Sequence, residues 1–184
     1  MTRKLLVYNM PKESLEKIKD LKEKYDFKVI EAEIDHLGQK IEDLLAENLV
    51  EDISNEGLDH IDINFLMIHG FEDSELSALL KDFKEKDLKL PNKCVSTPTN
   101  KTWILHDLLK ENKEEAELMP LLHSLFSLRT FVQGLIENGN EDQRLVDLVE
   151  EISAYIKKQE LEKNEMIEIY NRGAKIANEY IDKN

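Results

Sequence analysis

The sequence predicts an α/β protein in which two β-α-β-α repeats form a four-stranded, mainly parallel sheet, followed by a C-terminal three-helix region. Three observations carry this expectation. A heptapeptide recurs almost unchanged, as Ile18-Lys19-Asp20-Leu21-Lys22-Glu23-Lys24 and as Leu80-Lys81-Asp82-Phe83-Lys84-Glu85-Lys86. Each copy is flanked by short apolar runs and then by a second Leu-rich helix, in the same order. Beyond about Glu114 only helical spacing remains. The chain therefore divides into a first repeat (1–50), a linker (51–63), a second repeat (64–113) and a helical region (114–184).

The first strand of each repeat is a short apolar run ending in a polar residue, Leu5-Leu6-Val7-Tyr8-Asn9 and Phe65-Leu66-Met67-Ile68-His69. Such runs suit a strand buried on both faces of a sheet. The heptapeptides lie on amphipathic helices, with Leu15, Ile18, Leu21 and Tyr25 on one apolar face and Leu76, Leu79, Leu80 and Phe83 on the other. Lys28-Val29-Ile30-Glu31 and Lys93-Cys94-Val95-Ser96 supply the second strands. Ile41-Glu42-Asp43-Leu44-Leu45 and Leu105-His106-Asp107-Leu108-Leu109 open the closing helices with the same spacing. Strands alternating with helices need crossover connections, which favours parallel pairing. In the linker, Ser54-Asn55-Glu56-Gly57 reads as a turn.

In the helical region, Leu118, Leu121, Leu122, Leu125, Leu128, Val132, Leu135 and Ile136 recur every three or four residues, until Asn138-Gly139-Asn140 ends the run. A second helix carries Leu145, Leu148, Val149, Ile152 and Ile156. A third carries Met166, Ile169, Tyr170, Ile176, Ala177 and Tyr180. Pro120 lacks an N–H, so a break is expected between Asn112 and Met119. An apolar face left over on these helices would need a partner protein or a second copy of the chain to cover it.

Of the 184 residues, 25 are Lys or Arg and 39 are Asp or Glu, a formal net charge of −14. This balance excludes a basic stripe for nucleic-acid phosphates. No apolar run is long enough to cross a bilayer or to form a signal-peptide core, so no membrane association and a cytoplasmic location are expected. Cys94 is the sole cysteine, which rules out an intramolecular disulfide. The histidines show no metal-ligand spacing, with Asp59-His60-Ile61-Asp62 the nearest approach to a cluster, so neither a metal nor another cofactor is expected.

The second repeat contains Phe65-Leu66-Met67-Ile68-His69-Gly70-Phe71 and, further on, Thr97-Pro98-Thr99-Asn100-Lys101-Thr102-Trp103. A strand ending in Gly-Phe, a helix, and then Thr-Pro-Thr-Asn-x-x-Trp before a last helix resembles an uncharacterised bacterial family defined as a domain of unknown function. The resemblance covers about a third of the chain. It implies a domain and carries no activity, cofactor or partner with it.

The segment Thr97–Trp103 is also the best candidate site. It joins a strand end to a helix start, where unpaired N–H groups and the helix dipole favour an anion. Thr97, Thr99, Asn100 and Thr102 add donors, Lys101 adds a cation and Trp103 a platform. Asn9 and His69, placed equivalently by the repeat, are expected beyond the same carboxyl edge of the sheet. The competing reading is a capped turn with Trp103 packed beneath it. No complete nucleophile or acid/base set accompanies these residues. The sequence thus favours a non-enzymatic interaction or regulatory module whose C-terminal helices contact a protein partner or a second copy. A binding module for a small anionic ligand near Thr97–Trp103 is the alternative.

Overall fold

A computed structural model describes residues 2–51, 53–158 and 160–181. The chain divides into two compact units, one ending at Glu114 and the other beginning at Glu115.

In the first unit, the first repeat runs β1 (Arg3–Tyr8), α1 (Lys12–Lys19), α2 (Lys22–Tyr25), β2 (Phe27–Ala32) and α3 (Ile41–Ala46). The second runs β3 (Phe65–His69), α4 (Asp73–Glu85), β4 (Asn92–Val95) and the opening turns of α5, a helix that spans Leu105–Glu137. The sheet order is β2-β1-β3-β4. Within each repeat the two strands are parallel, β1 with β2 and β3 with β4. The repeats meet through the antiparallel pair β1 and β3. The sheet is therefore mainly parallel, with one antiparallel seam at its centre.

Both central strands are covered on both faces. Leu6, Tyr8, Phe65 and Met67 point into a core completed by Ile41, Leu44 and Leu45 of α3 and by Leu105, Leu108 and Leu109 of α5. Leu5, Val7, Leu66 and Ile68 point the other way, onto Ile18, Leu21 and Tyr25 and onto Leu79 and Phe83 of α4. Each repeat thus places its first helix on one face and its second on the other. The linker is pinned to the first repeat. Buried Gln39 exchanges two hydrogen bonds with the backbone of Val50, and Asn55 bridges the Gly38 N–H and the Asp35 carbonyl.

The repeats are related about the seam. Leu6 pairs with Met67, and Ile30 and Cys94, their neighbours on the outer strands, both pack against the same core. Lys40 and Ile104, each just before its repeat's second helix, form an antiparallel bridge. Around it Ile41 N–H donates to Trp103 O (3.0 Å) and Leu105 N–H donates to Gln39 O (2.9 Å). This corrects the strand alignment by one residue. Superposing the buried faces makes Tyr8, not Asn9, the counterpart of His69, and left-handed Asn9 (φ 49°) the counterpart of Gly70 (φ 79°).

The second unit packs the C-terminal part of α5 with α6 (Gln143–Tyr155) and α7 (Lys163–Ile181) around Leu125, Val132, Leu145, Leu148, Ile152 and Met166. A Cβ on Gly173 would lie 2.7 Å from Leu128 Cδ2, so the absence of a side chain lets α7 approach closely. Asp142 caps α6 by accepting from the Arg144 N–H (2.9 Å), and its carboxylate also meets the Arg144 guanidinium and the Tyr180 hydroxyl. Those donors hold the Asp142 carboxyl well below the usual carboxylate range. The expected break before Pro120 is absent, since α5 continues through it. The missing N–H deprives only the Ala116 carbonyl of a partner, while Leu118, Leu121 and Leu122 still pack against the bundle core on either side.

Candidate functional site

The turn between β4 and α5 uses its polar groups on itself. Thr97 N–H donates to Asn100 Oδ1 (2.7 Å), and Asn100 N–H donates back to Thr97 Oγ1 (3.1 Å). Asn100 Nδ2 donates to Val95 O (3.0 Å), and the Thr102 hydroxyl donates to Thr99 O (2.8 Å). A single 3-10 turn, Asn100–Thr102, results. Trp103 is half-buried against the sheet core, and its carbonyl receives the Ile41 N–H.

The start of α5 is joined to the first repeat. Its first two N–H groups are taken by the first repeat, Leu105 N–H by Gln39 O and His106 N–H by Leu37 O, both at 2.9 Å. The expectation of unpaired donors there fails because the antiparallel bridge at Lys40 and Ile104 supplies carbonyls that a single repeat does not contain. The groove beside Trp103, about 620 Å³, is bordered by Asp107, Glu111 and Glu114 against the single cation Lys110. That field repels an anion.

His69 and Asn9 do not share an edge. Because β1 and β3 are antiparallel, His69 lies opposite Lys4 and Tyr8 lies opposite Phe65. Asn9, five residues beyond Lys4, sits about 17 Å along the strand from His69. It is exposed and donates to Asp62 Oδ1 (3.4 Å). His69 remains with the turn: its Nδ1 lies 2.6 Å from Ser96 Oγ. Burial first, and then the charges of Lys101 and Lys4, lower its pKa, which favours the neutral ring. Across the seam Tyr8 OH meets His60 Nδ1 at 3.1 Å. Among the described residues no group of three His, Cys, Asp or Glu side chains could hold a metal.

Gly70 and Phe71 are likewise accounted for by packing. A Cβ on Gly70 would lie 2.9 Å from the Thr2 carbonyl oxygen, and φ of 79° also favours glycine. Phe71 stacks obliquely on Tyr25 and Phe27, at centroid distances of 6.4 and 6.2 Å, under the Arg3 guanidinium.

Large apolar side chains are exposed on the second unit. Met119, Phe126, Phe131 and Tyr170 are 52, 41, 44 and 38% exposed. Phe131 and Tyr170 border a cavity of about 360 Å³ with His123, Ser127, Leu128 and Ala174. Between Leu118 and Ile136 the only formal charge is Arg129. In a chain with 35% charged residues, a solvated helix of 19 residues would carry six or seven. The legible signal was therefore the missing charge on every side of this helix, which the Leu spacing had masked.

No curated protein and no solved structure matches the chain. Residues 64–119, from β3 into α5, match a family described as a domain of unknown function (DUF3783).

Proposed function

We propose that the protein is a non-enzymatic interaction module that engages a protein through the exposed apolar side chains of α5 and α7. The observation that carries this reading is the combination of Met119, Phe126, Phe131 and Tyr170, all exposed, with the nearly charge-free span 118–136. Large apolar side chains exposed on a helix that carries almost no charge cost solubility in an acidic protein and are characteristic of contact sites. Aromatic and Met side chains are the types that anchor such contacts.

On this reading the Gly-Phe and Thr-Pro-Thr-Asn-x-x-Trp segments belong to a bacterial domain's architecture: Gly70 admits the neighbouring strand, Asn100 and Thr97 lock the turn, and Trp103 joins the repeats. Engagement of Asn100 and of the α5 N–H groups within the fold supports this over an anionic-ligand site at Thr97–Trp103. The location in keeping with the proposal is the cytoplasm. A photoreactive phenylalanine analogue placed at Phe131 in living cells tests it. A covalent adduct with a protein is expected at position 131 and none at exposed Ile34 on the first unit; equal yields at both positions, or none at 131, would refute the reading. A mass of twice the chain identifies a second copy as the occupant.

A further inference from the structure

We propose that the cavity at the end of α4 binds a small anionic amphiphile, a short apolar stem carrying a carboxylate or phosphate head. The inference comes from comparing the two repeats at the same place. Each has a cavity where its first helix ends and the chain turns into its second strand. In the first repeat the lining includes Arg3, Lys22, Asp26, Phe27 and Lys28; in the second it includes Lys84, Asp87, Leu88, Lys89 and Lys93. Asp26 and Asp87 are both left-handed, with φ of 49° and 52°, and are each followed by a buried apolar residue, Phe27 or Leu88.

The copies differ in two respects that matter for binding. Phe27 opens β2 directly, whereas Lys89, Leu90 and Pro91 intervene between Leu88 and β4. That insertion brings Leu90 beside Leu80, Phe83 and Leu88, so the second cavity, about 310 Å³, has an apolar floor. The charges differ too. In the first repeat Arg3 is engaged by Glu75 and by the Tyr25 carbonyl and Lys28 by Glu47, which leaves Lys22 as that cavity's one cation without an ion pair among the described residues. In the second, Lys84, Lys89 and Lys93 form no ion pair among the described residues, and the Lys93 ammonium donates only to the Leu90 carbonyl (3.0 Å). Three cations face the single carboxylate of Asp87, in a chain whose net charge is −14.

An apolar floor rimmed by uncompensated lysines complements a ligand that is apolar at one end and anionic at the other. The volume lies at the small end of ligand pockets, roughly 300 to 1,000 Å³, which limits the ligand to one short alkyl chain. This inference is independent of the contact surface on the second unit.

The test is an amide chemical-shift titration of the full chain with octanoate and, separately, monooctyl phosphate, with octylammonium and acetate as controls. One or both octyl anions should shift Leu88, Lys89, Leu90 and Lys93, leaving residues 22–28 unmoved; whichever binds more tightly identifies the head group. Acetate and octylammonium should leave all of them in place. Lys84→Glu with Lys89→Glu, both at exposed positions, should weaken binding at least tenfold without altering the rest of the spectrum. The proposal is overturned if neither octyl anion shifts these amides, if octylammonium shifts them equally, or if the folded double variant keeps its affinity.

Discussion

Replacing Asn100 by Ala separates a structural turn from a ligand site. The substitution removes the acceptor of the Thr97 N–H and the donor to the Val95 carbonyl. Both bonds are partly open to water, so their loss costs less than for buried groups, and capping substitutions of this kind cost about 0.5–2 kcal/mol. With two bonds lost, about 1–2 kcal/mol is expected. Trp103 is the sole tryptophan and lies in the first unit, so its fluorescence follows unfolding of that unit in urea. At a slope of about 1.5 kcal/mol per molar, the midpoint should fall by about 0.7–1.3 M. Asn100→Asp keeps the acceptor and loses the donor, so about half the shift is expected. An unchanged midpoint for Asn100→Ala would refute the assignment of this residue to the architecture of the turn.

Other substitutions probe the seam, the histidine and the bundle. Gly70→Ala should destabilise the first unit by more than the roughly 1–2 kcal/mol of a left-handed residue, because the Thr2 carbonyl must also move; Asn9→Gly should change the same urea midpoint little, since glycine accepts that conformation freely. The lowered pKa of His69 means that the unfolded chain binds more protons near pH 6, so stability is present in full above the ordinary histidine pKa of about 6.5 and falls as pH decreases through it. The wild-type urea midpoint should therefore drop more than that of His69→Gln between pH 8 and pH 5. Gly173→Val should destabilise the bundle by about 1–3 kcal/mol through overpacking against Leu128 and Leu148, seen as earlier loss of helical circular dichroism on heating.

The repeats, their helices and the faces those helices bury were legible because amphipathic spacing states which side is apolar. Ile41, Leu44 and Leu45 and their counterparts Leu105, Leu108 and Leu109 are all buried as that spacing requires. The central strands were harder for a physical reason. A strand buried on both faces has no alternation, so Leu5–Tyr8 and Phe65–Ile68 specify neither a one-residue register nor the sense of the seam. Aligning them on their polar ends brought Asn9 and His69 together; the antiparallel seam separates them. The engagement of the α5 N–H groups was hidden for a related reason, since their acceptors Leu37 and Gln39 belong to the other repeat. Phe126 and Phe131 lie outside the three-and-four spacing that runs from Leu118 to Ile136, so periodicity alone passes over them.

The most direct test of the proposed contact surface is oxidative footprinting of Met119, Phe126, Phe131 and Tyr170 in the purified protein and inside living cells. All four are exposed in the isolated chain and carry side chains that hydroxyl radicals modify readily. In purified protein at low concentration they should be modified freely; in cells they should be protected severalfold, while exposed Ile34 and Val95 on the first unit react to the same extent in both settings. Equal modification of the four side chains in both settings would contradict their assignment to the surface through which the protein acts.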